Sequence, residues 1–291
     1  MLIQGCTILD VGGMGVLFTA ATVPGDRLVV SGCTIRGCGQ AGVSAYKTRA
    51  ASGWGGYGLV ENCLISECNR LAGTPGALGN AACGLHLNDG RRTETDPAHP
   101  FILWTFKGNR ITGCAAALSP KNEDSGGIAV DFNAHGASII ENVIVGNWGK
   151  GGYALNANST QWIRNVFVGN DSGLVVSSEG GAESCLNTVI RENIFLYNWN
   201  GADRGPGYDA EIAHMNVEGL TIARNRYLAA RTWIRQIGDG SRAVVEKDNA
   251  DLSEAPVADP ISVDGVVMRG NAVIGRLAMV SPEVGGQMAP S

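Results

Sequence analysis

The chain has 291 residues, a net charge of −5 and an apolar fraction of 44%, which excludes a disordered polymer and provides for a continuous core. Its mild acidity and scattered basic residues exclude a nucleic-acid binder, whose phosphate ligand demands a basic stripe. Glycine is in excess at 42 residues while aromatics make up 6%, a balance suited to tight corners and small inward side chains rather than to a helical bundle. No apolar run reaches the roughly eighteen residues of a membrane span, so none is expected.

Taken in chain order, one short pattern recurs: Asn or Cys, any residue, an apolar residue, any residue, often Gly, then Asn or Cys again. It reads Cys6-Thr7-Ile8, Cys33-Thr34-Ile35-Arg36-Gly37-Cys38, Cys63-Leu64-Ile65-Ser66-Glu67-Cys68, Asn109-Arg110-Ile111-Thr112-Gly113-Cys114 and Asn142-Val143-Ile144-Val145-Gly146-Asn147. It continues through Asn165-Val166-Phe167-Val168-Gly169-Asn170, Asn193-Ile194-Phe195-Leu196-Tyr197-Asn198, Asn225-Arg226-Tyr227 and Asn271-Ala272-Val273. Successive first positions lie 27, 30, 46, 33, 23, 28, 32 and 46 residues apart, a base unit in the twenties lengthened by insertions that belong in turns. The tightest unit holds three strands of period two, over residues 127–133, 137–141 and 142–145. Such units bury their apolar side chains only by stacking as parallel coils, with equivalent residues above one another at about 4.8 Å.

The expected fold is therefore all-β, a right-handed single-stranded parallel β-helix of roughly nine to ten coils, read as a single domain over residues 1–291 with a frayed tail at 278–291. The repeat resembles the pectate-lyase-like parallel β-helix family shared by polysaccharide lyases, galacturonases, carbohydrate epimerases, phage tailspikes and NosD-like proteins. This resemblance covers about residues 1–276. It implies the fold, and a substrate groove along one parallel sheet, while one architecture hosts many activities.

The cysteines follow the same columns. Cys6, Cys33 and Cys63 stand where later coils carry Asn109, Asn142, Asn165 and Asn193, and Cys38, Cys68 and Cys114 stand where Asn147, Asn170 and Asn198 follow. A residue exchanged for Asn at an inward turn fills a small site, so buried thiols are expected rather than a disulfide framework or a zinc centre.

Candidate chemistry comes from aligning the first strand of each coil at its glycine, over residues 15–21, 42–48, 84–90, 127–133, 152–158 and 173–179, with 209–215 as a seventh. The second and fourth positions are mostly apolar and face in. The fifth reads Thr19, Tyr46, Asn88, Asp131, Asn156 and Ser177, and the next two add Lys47, Asp89, Asn133, Asn158, Glu179 and His214, a polar stripe along one outward face. The third position, also outward, carries His86 and Glu211 amid small residues, and His135 stands at the rim. The insertion containing Arg91 and Arg92, and the loop containing Lys121, would wall a groove.

Fixed amides, carboxylates and an aromatic ring suit the hydroxyls of an oligo- or polysaccharide, the expected partner. Hydrolysis would need two carboxylates about 5–9.5 Å apart, for which Asp89 and Asp131 are the first pair and Glu211 a substitute. Lyase or epimerase chemistry would need a proton carrier, Tyr46, His86 or His135, and a cation, Lys47, Arg91, Arg92 or Lys121. The catalytic candidates are thus Asp131, Asp89 and His86. Those for substrate binding are Tyr46, Lys47, Asn88, Arg91, Asn133, His135, Asn156, Asn158, Glu211 and His214. No metal site or cofactor is expected, with Ca2+ the one cation left open. The rival is a non-catalytic shaft that binds glycans or nothing. Because Met1 leads into a repeat without a leader, upstream sequence or a homo-oligomer is expected at the open strand edges, and localisation stays open between extracellular, cell-surface and virion.

Overall fold

The structure, a computed structural model, describes residues 1–20, 27–47, 57–69, 83–88, 104–114, 126–131, 134–178, 185–199, 209–254, 261–263, 266–269 and 272–276. It divides into two compact units, Met1–Ala250 and Asp251–Ser291. The first is a right-handed parallel β-helix with three sheets. Among the described residues the first sheet has nine strands, running from Leu2–Gln4 to Val245–Lys247. The second also has nine, from Thr7–Leu9 to Ala250–Asp251, and the third has eight, from Val16–Ala20 to Thr232–Gln236. Among the described residues the strand pairs of these sheets are parallel, and each strand pairs with its equivalent one coil away. In the second unit Ile261–Val263, Val266–Arg269 and Ala272–Arg276 form an antiparallel sheet, so the motif at Asn271 leads into an antiparallel strand instead of a further coil. No helix among the described residues is long and apolar enough to cross a membrane.

The unit read as three strands from the sequence folds as Gly126–Asp131, Ser138–Ile140 and Val143–Val145. Period two puts one side chain of each short strand inside: Ile139 and Ile144 are fully buried, as are Leu85, Ile128 and Leu174 in the column of the third sheet. Aromatics thicken the core at the middle coils, where the Phe167 and Phe195 rings stack at 4.8 Å.

Between the first and second sheets the chain turns through one residue in the left-handed region. Down that corner stand Gly32, Asn62, Gly108, Glu141, Arg164, Glu192 and Arg224, with φ between 53° and 64°. Side chains with Cβ are strained there, and from Glu141 to Arg224 they alternate in charge: Arg164 donates to Glu141 at 2.7 Å and Arg224 to Glu192 at 2.6 Å. The Arg224 hydrogen bond holds the Glu192 carboxyl below its ordinary value. These groups are about half exposed, so they neutralise like-charge stacking more than they stabilise.

Inside each corner runs a ladder. The backbone N–H of Asn109 donates to Asn142 Oδ1 at 3.0 Å, and the same bond is repeated from Asn142 to Asn165, Asn165 to Asn193, Asn193 to Asn225 and Asn225 to Asn249. The column therefore continues to Asn249, which the sequence pattern passes over because Asp251 stands where the pattern has its apolar residue. Cysteine substitutes as expected: Cys63 Sγ accepts the Cys33 N–H at 3.4 Å. All described thiols are free, Cys6 exposed and the others buried. Burial pushes the Cys63 and Cys185 thiols up to about 11; the neighbouring thiol, Cys68 for Cys38 and Cys114 for Cys68, together with burial raises Cys38 and Cys68 further.

The corner glycine of the first six strands of the third sheet admits the second ladder. A Cβ on Gly127 would lie 2.6 Å from Gly151 O and from Ile144 Cγ2 and 3.1 Å from Asn147 Nδ2. Gly127→Ala is expected to destabilise by about 1–3 kcal/mol through overpacking, whereas Gly13→Ala, with nothing within 4 Å of its Cβ, should melt within about a degree of wild type. Equal melting temperatures for the two variants would refute this account of the corner.

Candidate functional site

Register in the third sheet decides which side chains share a face. Strand pairing sets Ser44 opposite His86, His86 opposite Ala129, then Tyr153, Val175, Ala213 and Arg235 in one outward column. The next outward column is Tyr46, Asn88, Asp131, Leu155, Ser177 and Met215. The first four coils match the sequence alignment. The fifth differs by one residue, because Gly152 is not the corner glycine: it sits in the apolar column, where a Cβ would meet the Trp162 ring at 2.6 Å. Gly151 takes the corner. Asn156 consequently leaves the polar stripe for the turn after the strand, with φ 50° and little exposure, and the stripe is interrupted by Leu155.

His135 and Asn158 belong to a turn ladder and not to a groove. The Asn158 N–H donates to His135 Nδ1 at 2.8 Å, and Asn158 Oδ1 accepts the Leu186 N–H at 2.7 Å. Burial pulls the His135 imidazole down to about 4, so it is neutral over the physiological range.

In the seventh coil the register differs by two residues. Glu211 stands opposite Gly173, at the corner, and is 1% exposed. His214 falls in the inward column opposite Val176, where its Nδ1 lies 2.9 Å from Ser241 Oγ and burial lowers its pKa. Both were expected to face outward; the absence of a corner glycine in this coil removed the landmark on which the alignment rests.

One cluster of expected residues does converge. His86 and Asp131, from adjacent coils, are 3% and 4% exposed, and Nε2 of the imidazole lies 3.8 Å from Asp131 Oδ2. Asn88 Nδ2 donates to the same carboxylate oxygen at 3.1 Å. On the other side Ser44 Oγ lies 3.1 Å from His86 Nδ1. Ser44, fully buried, was passed over as one of the small residues in the histidine column; standing one coil before His86 on the same outward position was the signal that could have found it. His86 Nε2 makes no hydrogen bond in this structure, which leaves a buried imidazole nitrogen aimed at a carboxylate across a gap slightly too long to close.

The backbones of Tyr46 and Lys47 lie in the strand Val43–Lys47, with Tyr46 opposite Asn88; their side chains, and all of Asp89, Arg91 and Asn133, lie outside the described residues. Among the described residues no three His, Cys, Asp or Glu side chains form a cluster fit to hold a metal ion.

No known family model matches the chain, and no curated protein matches it in sequence. Among solved structures it is similar to a glycoside hydrolase, at 12% identity over 80% of this chain and 38% of that one, with a TM-score of 0.49. It is also similar to the A-module of the mannuronan C-5 epimerase AlgE4 of Azotobacter vinelandii, at 11% identity over 80% of this chain and 75% of the other, with a TM-score of 0.34. The chain spans 38% of the length of the glycoside hydrolase chain.

Proposed function

We propose that the protein is a carbohydrate-active enzyme that cleaves a polysaccharide, as a lyase or glycoside hydrolase, at the outward face of the third sheet around His86 and Asp131. The observation that carries the reading is the pair itself: a buried imidazole nitrogen with no hydrogen-bond partner, 3.8 Å from a buried carboxylate on the next coil. Leaving such atoms unpaired is unfavourable and is found at working sites. Of the two chemistries, β-elimination draws more on these residues, because His86 can take the proton α to a uronate carboxylate while Asp131 balances the imidazolium that forms. Lys47 or Arg91 would supply the cation for the enolate. Hydrolysis would need a second carboxylate, for which Asp89 is the candidate.

The burial of the pair favours a second reading, a non-catalytic shaft in which Ser44, His86, Asn88 and Asp131 hold neighbouring coils together. Incubation with a panel of neutral and uronic-acid polysaccharides separates the two. Activity is expected as new reducing ends, joined by ultraviolet absorbance of an unsaturated uronate if the reaction is elimination, and Asp131→Asn or His86→Ala should lower it by about 10²–10³-fold. Cleavage unchanged in both variants would move the chemistry elsewhere, and a folded protein inert on the whole panel would favour the shaft.

A further inference from the structure

Three side chains on successive strands of the third sheet stand in a line that polysaccharide cleavage does not require. Ser44 Oγ is 3.1 Å from one nitrogen of His86 and the other nitrogen is 3.8 Å from Asp131 Oδ2. With Ser44 as donor the ring proton lies on Nε2, the nitrogen facing Asp131. That is the order nucleophile, base, orienting carboxylate, in which the roles are set by geometry and not by position in the chain. Asp131 is held in turn by Asn88 Nδ2 at 3.1 Å, so the carboxylate that would steady the imidazolium is itself fixed.

We propose that Ser44 is a nucleophile and that Ser44, His86 and Asp131 form an acyl-transfer centre that hydrolyses esters, with acyl groups borne on sugar hydroxyls as the substrate class. That the alcohol is a sugar rests on the function proposed above; the acyl transfer itself does not. Ser44 Oγ attacks the ester carbonyl carbon while its proton passes to His86 Nδ1, and the imidazolium sits beside the Asp131 carboxylate. The tetrahedral adduct collapses, the C–O bond to the sugar breaks, and the departing alkoxide takes the proton from His86. Water, deprotonated by the same nitrogen, then releases the carboxylic acid and restores Ser44.

Burial chooses the substrate's size. Ser44 is fully buried and His86 and Asp131 are 3% and 4% exposed, so the acyl group admitted to Oγ has to be short. Ala129 follows His86 in the column and presents only a methyl group beside the imidazole. Low exposure also strengthens the interaction between imidazolium and carboxylate.

The test uses reagents that contain no sugar. Wild type, Ser44→Ala, His86→Gln and Asp131→Asn are treated with p-nitrophenyl acetate and with a small alkyl fluorophosphonate, each variant being checked by thermal melting, and the adduct is located by peptide mass mapping. One adduct on the Ser44 peptide is expected, absent in Ser44→Ala, with release of p-nitrophenol slowed about a hundredfold or more in His86→Gln. Should His86→Gln fail to fold, folded Asp131→Asn must slow acylation by about tenfold or more. No adduct on Ser44, or acylation of folded His86→Gln at the wild-type rate, overturns the proposal. Because the polysaccharide panel measures glycosidic cleavage and these reagents measure acylation, either reading can fail while the other stands.

Discussion

Asn165→Ala is expected to destabilise the β-helix by about 3–5 kcal/mol, the sum of a buried backbone donor left without its acceptor, several lost amide bonds and a small void. Asn165 Oδ1 accepts from both the N–H and Nδ2 of Asn142 at 3.0 Å, its own Nδ2 donates to Ile139 O at 2.8 Å and to Asn193 Oδ1 at 3.0 Å, and it is fully buried. Alanine removes all four, and water cannot reach the stranded Asn142 N–H. For a chain of this size the midpoint should fall by about 10 °C. Asn165→Cys should lie between alanine and wild type, because Cys63 Sγ already takes the equivalent backbone N–H at 3.4 Å three coils earlier. Thermal melts of the three proteins decide the matter: an alanine variant that melts with wild type, or a cysteine variant less stable than alanine, would show that the ladder contributes shape and not hydrogen bonding.

That column was readable from the sequence because stacking repeats the same requirement in every coil. Asn109, Asn142, Asn165 and Asn193 recur at the same step of the pattern, and Cys33 and Cys63 announce their role by replacing them. Register was harder. Within each strand the alternation is short, so it was anchored on glycine, and glycine serves two purposes here: Gly127 and Gly151 make room for the second ladder, Gly152 for the Trp162 ring. The second purpose depends on a partner from another sheet, which no local pattern carries. The same limit explains the site. His86, Asn88 and Asp131 stand out as polar residues in a regular column, but Ser44 gains meaning only once pairing sets it opposite His86. Glu211 looked like an outward carboxylate until its coil proved to lack the corner glycine.

Glu211 is a repair, and exchanging it with its partner should both restore the repeat and change how stability responds to pH. The second ladder runs from Asn147 to Asn170 to Asn198, and Ala230 stands at the next rung, since Leu196 pairs with Leu228. Glu211 fills the gap from the adjacent corner. Its carboxylate accepts the Asn198 N–H at 3.1 Å, Asn198 Nδ2 at 2.5 Å and the Ala230 N–H at 3.3 Å. Burial outweighs those bonds and pushes the carboxyl up to about 7. A carboxyl raised in the folded state contributes fully below its ordinary value near 4.5; as pH rises the unfolded chain gives up the proton first, so stability falls until about pH 7 and then levels. The span corresponds to about 3 kcal/mol. His135, pulled down to about 4 by burial, acts in the other sense: the unfolded imidazole takes a proton below about 6.5, so stability falls as pH drops towards 4. His214 shifts in the same direction as His135. In the wild type these contributions oppose one another between about pH 4.5 and 6.5. Glu211→Gly alone should destabilise by about 3 kcal/mol by stranding the Asn198 and Ala230 donors, and Ala230→Asn alone should crowd the carboxylate. Together they rebuild an ordinary rung over an ordinary corner, so the double variant should regain most of the loss, a coupling of about 2 kcal/mol or more. With Glu211 gone, its stability should rise from pH 4.5 to 7.5 by about 3 kcal/mol more than that of the wild type. Additive single substitutions, or denaturation midpoints with the same pH dependence in both proteins, would mean that Glu211 does not stand in for the missing asparagine.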